Sequence, residues 1–403
     1  MNILYVTGIT PPIEAVLRGE DGIQGLPPFY YPWKMLVDRG HEVDFVMTSN
    51  FSEKYNIKVK WFSEKNIVKN IYAPKTNSKG FVRAFRQIKR FVQLLYYTNK
   101  AVKEKHYDFI YCKAFEGVAG QIIANIYNIP HGVRSFGDHM YLEIKKYGRK
   151  KAAWKHPLEY LCYQLNCNFF LMSEDHKDQI ITYNSWHNSK HNYPFYLWPS
   201  GIKFKRLEEL VCDVEIPKHP YLFFAARIDP LKRQDRVIKT LYYLHKNEIR
   251  LHLYFCGSDY SIEWRGKLDR IAKEYKLDKY IHYLGSVSQD TLKVLAFNAI
   301  ANVLMIDGSS RNNVFYEIMS VGAIVVGLDD GGINDYITNE KSGFLVKDEE
   351  DAAEKIEYLL NNPEKREEIH KAAAKEAKEK VMSLETRFGK EVDLIENIVK
   401  NLR

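Results

Sequence analysis

Apolar residues along this chain fall into short, nearly unbroken runs separated by stretches of helical spacing. In the first half, Asn2 to Thr7, Val43 to Met47, Phe109 to Cys112 and Phe169 to Met172 read as strands. Between them, Phe29 to Arg39 and Val118 to Tyr127 repeat apolar positions at a helical period. Runs this apolar belong to strands covered on both faces, and their alternation with helices predicts a parallel sheet with crossover helices. The second half repeats the pattern, with strands predicted at Tyr221 to Ala225, His252 to Cys256, Ile281 to Leu284, Ala301 to Met305 and Ala323 to Gly327. A further strand-like run covers Ile129 to Val133. From Asp351 to Arg403 the chain reads as helical, broken near Pro363.

The 403 residues exceed one ordinary core, so two domains are expected. The turn-rich Leu197-Trp198-Pro199-Ser200-Gly201 divides them, giving domains at 1–200 and 201–380 and a final helical segment at 381–403. No apolar window is long enough to cross a bilayer, and Met1 to Thr7 reads as a first buried strand instead of a signal peptide. Five cysteines without CxxC spacing read as reduced thiols in a cytosolic protein. Cys162 and Cys167 lack a His pair at ligand spacing, so packing is their expected role.

Charge is uneven. The formal net charge is +8, yet residues 1–200 hold 27 Lys+Arg against 17 Asp+Glu, leaving the second half slightly acidic. Within Phe51 to Lys105 there are 14 cations and 3 anions. The stretch Phe81 to Lys105 sets Arg83, Arg86, Lys89 and Arg90 among Phe81, Phe85, Phe91 and Tyr96. With Lys145 to Lys155 it reads either as a surface for anionic lipid or as a core helix with a solvated face.

Candidate chemistry concentrates between Tyr221 and Val346. Arg227 and Lys232 follow a strand end, the position at which open α/β sheets bind ligands, and their charges suit a diphosphate. A helix predicted to begin near Asn312 turns free N–H groups toward the same anion and carries Glu317 about one turn inside, where it can accept hydrogen bonds from ribose hydroxyls. Cys256-Gly257-Ser258 and Gly285-Ser286-Val287 follow strands, and their small residues allow close approach of a flat base.

This arrangement resembles the GT-B glycosyltransferases of family GT4, on Arg227 and Lys232, on a Glu-x7-Glu segment ending at Glu317, and on the Gly331-Gly332 turn. The resemblance implies two Rossmann-like, doubly wound parallel-sheet domains facing a cleft, with the last helix crossing back onto the first domain. It implies sugar transfer from a nucleoside diphosphate sugar to an acceptor hydroxyl, with retention, in cell-surface polysaccharide or glycolipid assembly. Arg227, Lys232 and Glu317 take the catalytic positions. Ser309, Ser310, Arg311, Asn312, Asn313 and Val314, with Gly25, Gly257, Gly285 and Ser286, take the donor-binding ones. The first Glu of the family pair falls on Ser309, for which sugar contact and helix capping both stand. Gly22 and Gly25, without adjacent glycines, match the family's glycine loop in part. On the acceptor side Phe136 replaces the family histidine, and Arg134, Asp138 and His139 are candidates either for acceptor contact or for a structural role.

No Asp-x-Asp pair occurs, so neither a metal nor another cofactor is expected on the diphosphate. The partners expected are a nucleotide sugar, a saccharide or lipid-linked saccharide acceptor and an anionic membrane surface met through Phe81 to Lys105. Nucleic acid is not expected, and the location implied is the cytoplasm, peripheral to the membrane. Rival functions are a nucleotide-sugar epimerase or hydrolase of the same fold, a non-catalytic scaffold, and a nucleic-acid-modifying protein.

Overall fold

The structure is a computed structural model that describes residues 1–8, 30–49, 68–72, 80–135, 140–172, 177–259, 261–306, 313–329, 333–334 and 336–402. It divides into two compact units, Met1–Gly201 with Leu384–Arg403, and Ile202–Ser383.

Unit 1 runs β1 (Asn2–Gly8), α1 (Tyr31–Asp38), β2 (Glu42–Ser49), β3 (Val68–Tyr72), α2 (Gly80–Glu104), β4 (Phe109–Lys113), α3 (Val118–Tyr127), β5 (His131–Ser135), α4 (Met140–Tyr147), α5 (Arg149–Lys155), α6 (Pro157–Gln164), β6 (Phe169–Met172), α7 (Lys177–Trp186) and β7 (Phe195–Leu197). Its seven strands are parallel in the order β3-β2-β1-β4-β5-β6-β7. Unit 2 runs β8 (Tyr221–Ala225), α8 (Gln234–Lys246), β9 (His252–Cys256), α9 (Ile262–Glu274), β10 (Ile281–Tyr283), α10 (Gln289–Asn298), β11 (Ala301–Leu304), α11 (Asn313–Met319), β12 (Val325–Leu328), β13 (Phe344–Val346), α12 (Glu349–Asn361) and α13 (Pro363–Lys380). Its six parallel strands lie in the order β10-β9-β8-β11-β12-β13. In both sheets the order in which strands are added therefore reverses beside the first strand, between β1 and β4 and between β8 and β11. That crevice, at the carboxyl ends of the strands, is where doubly wound sheets hold ligands.

The elements follow from the pattern. Every residue of YLFFA in β8 is buried, as a strand covered on both faces requires. Helices begin where a side chain can take a free N–H: Ser261 caps α9 through the Trp264 amide, Ser288 caps α10 through Thr291, and Asp348 caps α12 through Glu350 and Asp351. Several predicted edges shift by one or two residues, among them Val43–Met47, observed as Glu42–Ser49, and Ile129–Val133, observed as His131–Ser135. The strand expected from Ala323 begins at Val325, because the Ala323 amide still closes the turn after α11 on the Ile318 carbonyl, 3.1 Å away. The strands expected to end at Leu284 and Met305 end at Tyr283 and Leu304.

The final helix, α14 (Leu384–Leu402), packs in unit 1. Its Val392, Ile395 and Val399 share one core cluster with Trp33 and Leu36 of α1 and with inward residues of β1, β2, β4 and β6. On its polar side Arg39 meets Asp393 at 2.6 Å and His41 meets Glu396 at 2.7 Å. Below the surface Glu391 accepts hydrogen bonds from Tyr111, from Arg387 Nη1 at 2.8 Å and from Arg134 Nη1 at 3.1 Å. Arg387 also donates to the Pro199 carbonyl at 2.9 Å. Burial pushes the Glu391 carboxyl up, and the two guanidinium charges outweigh it, holding the group below its ordinary range.

Candidate functional site

Because all strands of unit 2 are parallel, the loops after β8, β9, β10 and β11 emerge along one sheet edge. The ladder continues past β8: the Ala226 amide donates to the Cys256 carbonyl at 2.9 Å and the Ile228 amide to the Ser258 carbonyl at 3.0 Å. Arg227 lies between those two bonds. Its carbonyl accepts from Gln234 Nε2 at 2.7 Å, and the fully buried Gln234 accepts in turn from Trp264 Nε1 at 3.0 Å. The backbone is thus fixed while the guanidinium stands about half exposed, 3.1 Å from Asp229. Asp229, nearly buried, also caps the turn Pro230–Lys232 through the Leu231 amide at 2.9 Å. This turn carries Lys232 to the same edge.

Glu317, four residues into α11, is buried beside Gln289 Nε2 at 3.3 Å. Burial raises its carboxyl to about 7, opposed by the charge of Lys293. Lys293 is itself buried, and its ammonium donates to the Lys203 carbonyl at 2.8 Å. A carboxyl whose folded pKa lies above its unfolded value adds stability below the unfolded pKa and loses it as pH rises through the folded one. Glu317→Gln cannot lose that proton. The variant should equal the parent at pH 4 and exceed it by on the order of 3 kcal/mol at pH 8, read from denaturation midpoints. A constant difference across that range would contradict the shift.

Gly257 joins the two loops expected to frame a base, donating its amide to the Gly285 carbonyl at 2.7 Å. It sits at φ +146, and a Cβ there would lie 2.1 Å from the Ala226 carbonyl oxygen. Gly257→Ala should therefore lower stability by about 2–4 kcal/mol through strain and overlap. An unchanged melting temperature would show that the loop adapts freely. Gly285, at φ +68, and Ser286 are exposed at the next loop along the edge.

Val314 is partly buried in the first turn of α11, which Asn313 opens. Ser309, Ser310, Arg311 and Asn312 lie outside the described residues, as do Gly22, Gly25, Phe136, Asp138, His139 and the Gly331-Gly332 turn. Arg134 differs from the acceptor expectation: it is fully buried and its guanidinium is committed to Glu391 on α14. At the switch point of unit 1 stand two residues the sequence did not single out. The Gly8 amide donates to Glu116 at 3.2 Å and the buried Lys113 ammonium to the Gly8 carbonyl at 3.2 Å. Burial lowers the Lys113 pKa, with the Glu116 charge opposing. The available signal was a cation ending an otherwise apolar strand with an anion three residues on.

Residues 212–376 match the model of the family described as glycosyl transferases group 1. The match lies within unit 2 and covers less than half of the chain. Relatives align over less than half of the chain: spore coat protein SA of Bacillus subtilis is 24% identical over 197 residues, 45% of this chain and 48% of that protein. Trehalose synthase of Pyrococcus horikoshii is 28% identical over 178 residues, 42% of this chain and 41% of that protein. The chain thus spans less than half the length of these relatives. Solved structures extend the likeness to both units. Sucrose-phosphate synthase of Thermosynechococcus elongatus superimposes with a TM-score of 0.73 at 16% identity, covering all of both chains. HepE of Anabaena, solved with UDP and glucose, gives 0.65 at 15% identity, covering 100% of this chain and 99% of that one. The fold is GT-B, built of two Rossmann-like parallel-sheet units.

Proposed function

We propose that this chain is a glycosyltransferase that moves a sugar from a nucleoside diphosphate sugar to an acceptor hydroxyl. The observation that carries the reading is the half-exposed Arg227 and its neighbour Lys232 at the end of β8, beside the β8/β11 switch point. Arg227 forks the diphosphate oxygens and Lys232 adds a second charge, so the departing diphosphate is stabilised as its bond to the sugar breaks. These two cations take the part a divalent metal plays elsewhere. Glu317, ionised, accepts from the ribose hydroxyls, so donor affinity rises with pH through about 7. The loops at Gly257 and Gly285-Ser286 lie against the base. By the family resemblance residues 309–314 are assigned to the sugar, with Ser309 reading its hydroxyls in place of a carboxylate. Retention at the anomeric carbon follows the family resemblance. Thermal-shift screening against UDP, GDP, ADP and their sugars tests donor binding: a ligand at a hundred times its dissociation constant stabilises by about 2.7 kcal/mol. A flat response to all of them would overturn the reading.

The acceptor is a saccharide or lipid-linked saccharide handled by unit 1, with Phe136, Asp138 and His139 as its contacts, in cell-surface polysaccharide or glycolipid assembly at the cytoplasmic face of a membrane. One solved structure of like fold is WaaG, a glycosyltransferase involved in lipopolysaccharide biosynthesis. Among the described residues no helix is long and apolar enough to cross a membrane. The observation favouring peripheral contact is α2, which exposes Val82, Phe85, Ile88, Val92 and Tyr96 as one apolar stripe beside the exposed Arg86 and Lys89. Such a stripe flanked by cations suits an anionic bilayer. Replacing Phe85 and Ile88 together by Glu should cut binding to phosphatidylserine-containing vesicles by roughly tenfold or more without lowering the melting temperature. Equal vesicle binding by the variant would remove this surface from the account.

A further inference from the structure

We propose that His219, His252 and His282 form a binding site for a divalent first-row transition metal, at the edge of the unit 2 sheet opposite Arg227 and Lys232. The three come together through strand register. His219 lies two residues before β8, His252 opens β9 and sits two residues before Tyr254, and Tyr254 pairs with His282 of β10. One face of three parallel strands therefore carries all three imidazoles. Their rings lie 3.7 Å apart for His219 and His252 and 5.1 Å apart for His252 and His282, and one nitrogen from each falls within 4.8 Å of the others. His252 Nδ1 and His282 Nε2 are already 2.8 Å apart.

Nitrogens bound to one tetrahedral ion at 2.0–2.1 Å stand roughly 3.3 Å from each other, so modest ring rotations bring this group onto a common centre. The tyrosine hydroxyl of Tyr254 reaches His219 Nε2 at 2.9 Å, a contact of the kind that fixes the orientation of a ligand ring. Tyr280 packs edge-on against His252 from the adjoining turn, limiting its rotation. Burial, then the neighbouring imidazoles, disfavour the protonated form of His252, and burial disfavours that of His282. All three side chains are partly exposed, which leaves water or another ligand room at a fourth position.

Imidazole donors select zinc, copper, nickel or cobalt over magnesium and calcium. From His219 to Arg227 the chain advances eight residues, roughly 26 Å along an extended strand, so this ion would not touch a diphosphate bound at the other edge.

The test uses the full chain and Zn2+ alone, by calorimetric titration in a buffer that does not chelate. One equivalent is expected to bind in the low micromolar range or tighter, Mg2+ should not compete, and Co2+ should give the visible absorption of a tetrahedral nitrogen site. His219→Gln, His252→Gln and His282→Gln should each weaken Zn2+ binding by roughly 10- to 100-fold. Should a variant fold poorly, the Co2+ spectrum and the Zn2+-dependent melting temperature of the parent still decide. Failure of the parent to bind Zn2+, or the same equivalent retained at unchanged affinity by all three variants, would overturn the site.

Discussion

Arg227→Ala should lower kcat/KM for a nucleotide sugar by roughly 100- to 1000-fold, with Lys232→Ala close behind. A charge-assisted contact to a diphosphate is worth about 1.5–3 kcal/mol, and more of it is realised as the phosphoryl oxygens gain charge on departure. The loss should therefore fall on kcat as well as on donor affinity. The fold gives this substitution a clean reading. Arg227 is held through its backbone, by ladder bonds on either side and by Gln234, while its side chain is half exposed. Its removal costs the half-exposed ion pair with Asp229, about 1 kcal/mol, so the variant should remain folded. Arg227→Lys keeps the charge without the planar fork and should recover part of the rate. Unchanged kinetics in both alanine variants would remove the diphosphate from this edge.

Glu391→Ala should strongly destabilise unit 1. It leaves Arg134 and Arg387, both with no exposed side chain, facing each other without their shared carboxylate. Removing one member of a buried ionic group costs about 3–5 kcal/mol, because the charges left behind can neither be solvated nor be neutralised. For a unit of this size that is roughly 6–20 °C in melting temperature. Glu391→Gln, which keeps the shape and one of the two acceptor oxygens but loses the charge, should fall between. A melting temperature equal to the parent's in Glu391→Ala would mean that α14 is held by its apolar face alone.

These two cases mark where the sequence is transparent and where it is not. Tyr221–Ala225, His252–Cys256 and Val118–Tyr127 are read with their observed bounds, because each is a run whose apolar content or period admits one element. Phe195–Leu197 and Phe344–Val346, three residues each, are too short to show a period, and Val68–Tyr72 sits in a polar stretch at the sheet edge. The positions of Arg227 and Lys232 just after β8 are legible because the strand before them is an unmistakable apolar run. The role of Arg134 is not. Its counterion lies 257 residues away on α14, and nothing local distinguishes an arginine buried in an ion pair from one that greets a ligand. Lys293 is hidden in the same way, since a lysine reads as solvated until a helix turns it inward beside Glu317. The three histidines are joined only by strand register, which no ligand spacing in the chain announces.

The most direct measurement is release of nucleoside diphosphate from UDP-, GDP- and ADP-sugars by the full chain, with and without a saccharide acceptor, for the parent and Arg227→Ala side by side. Release that depends on one donor, rises with acceptor and falls roughly 100-fold or more in the variant is the predicted result. No release and no binding with any donor, or turnover equal in parent and variant, would contradict a sugar-transfer site built on Arg227.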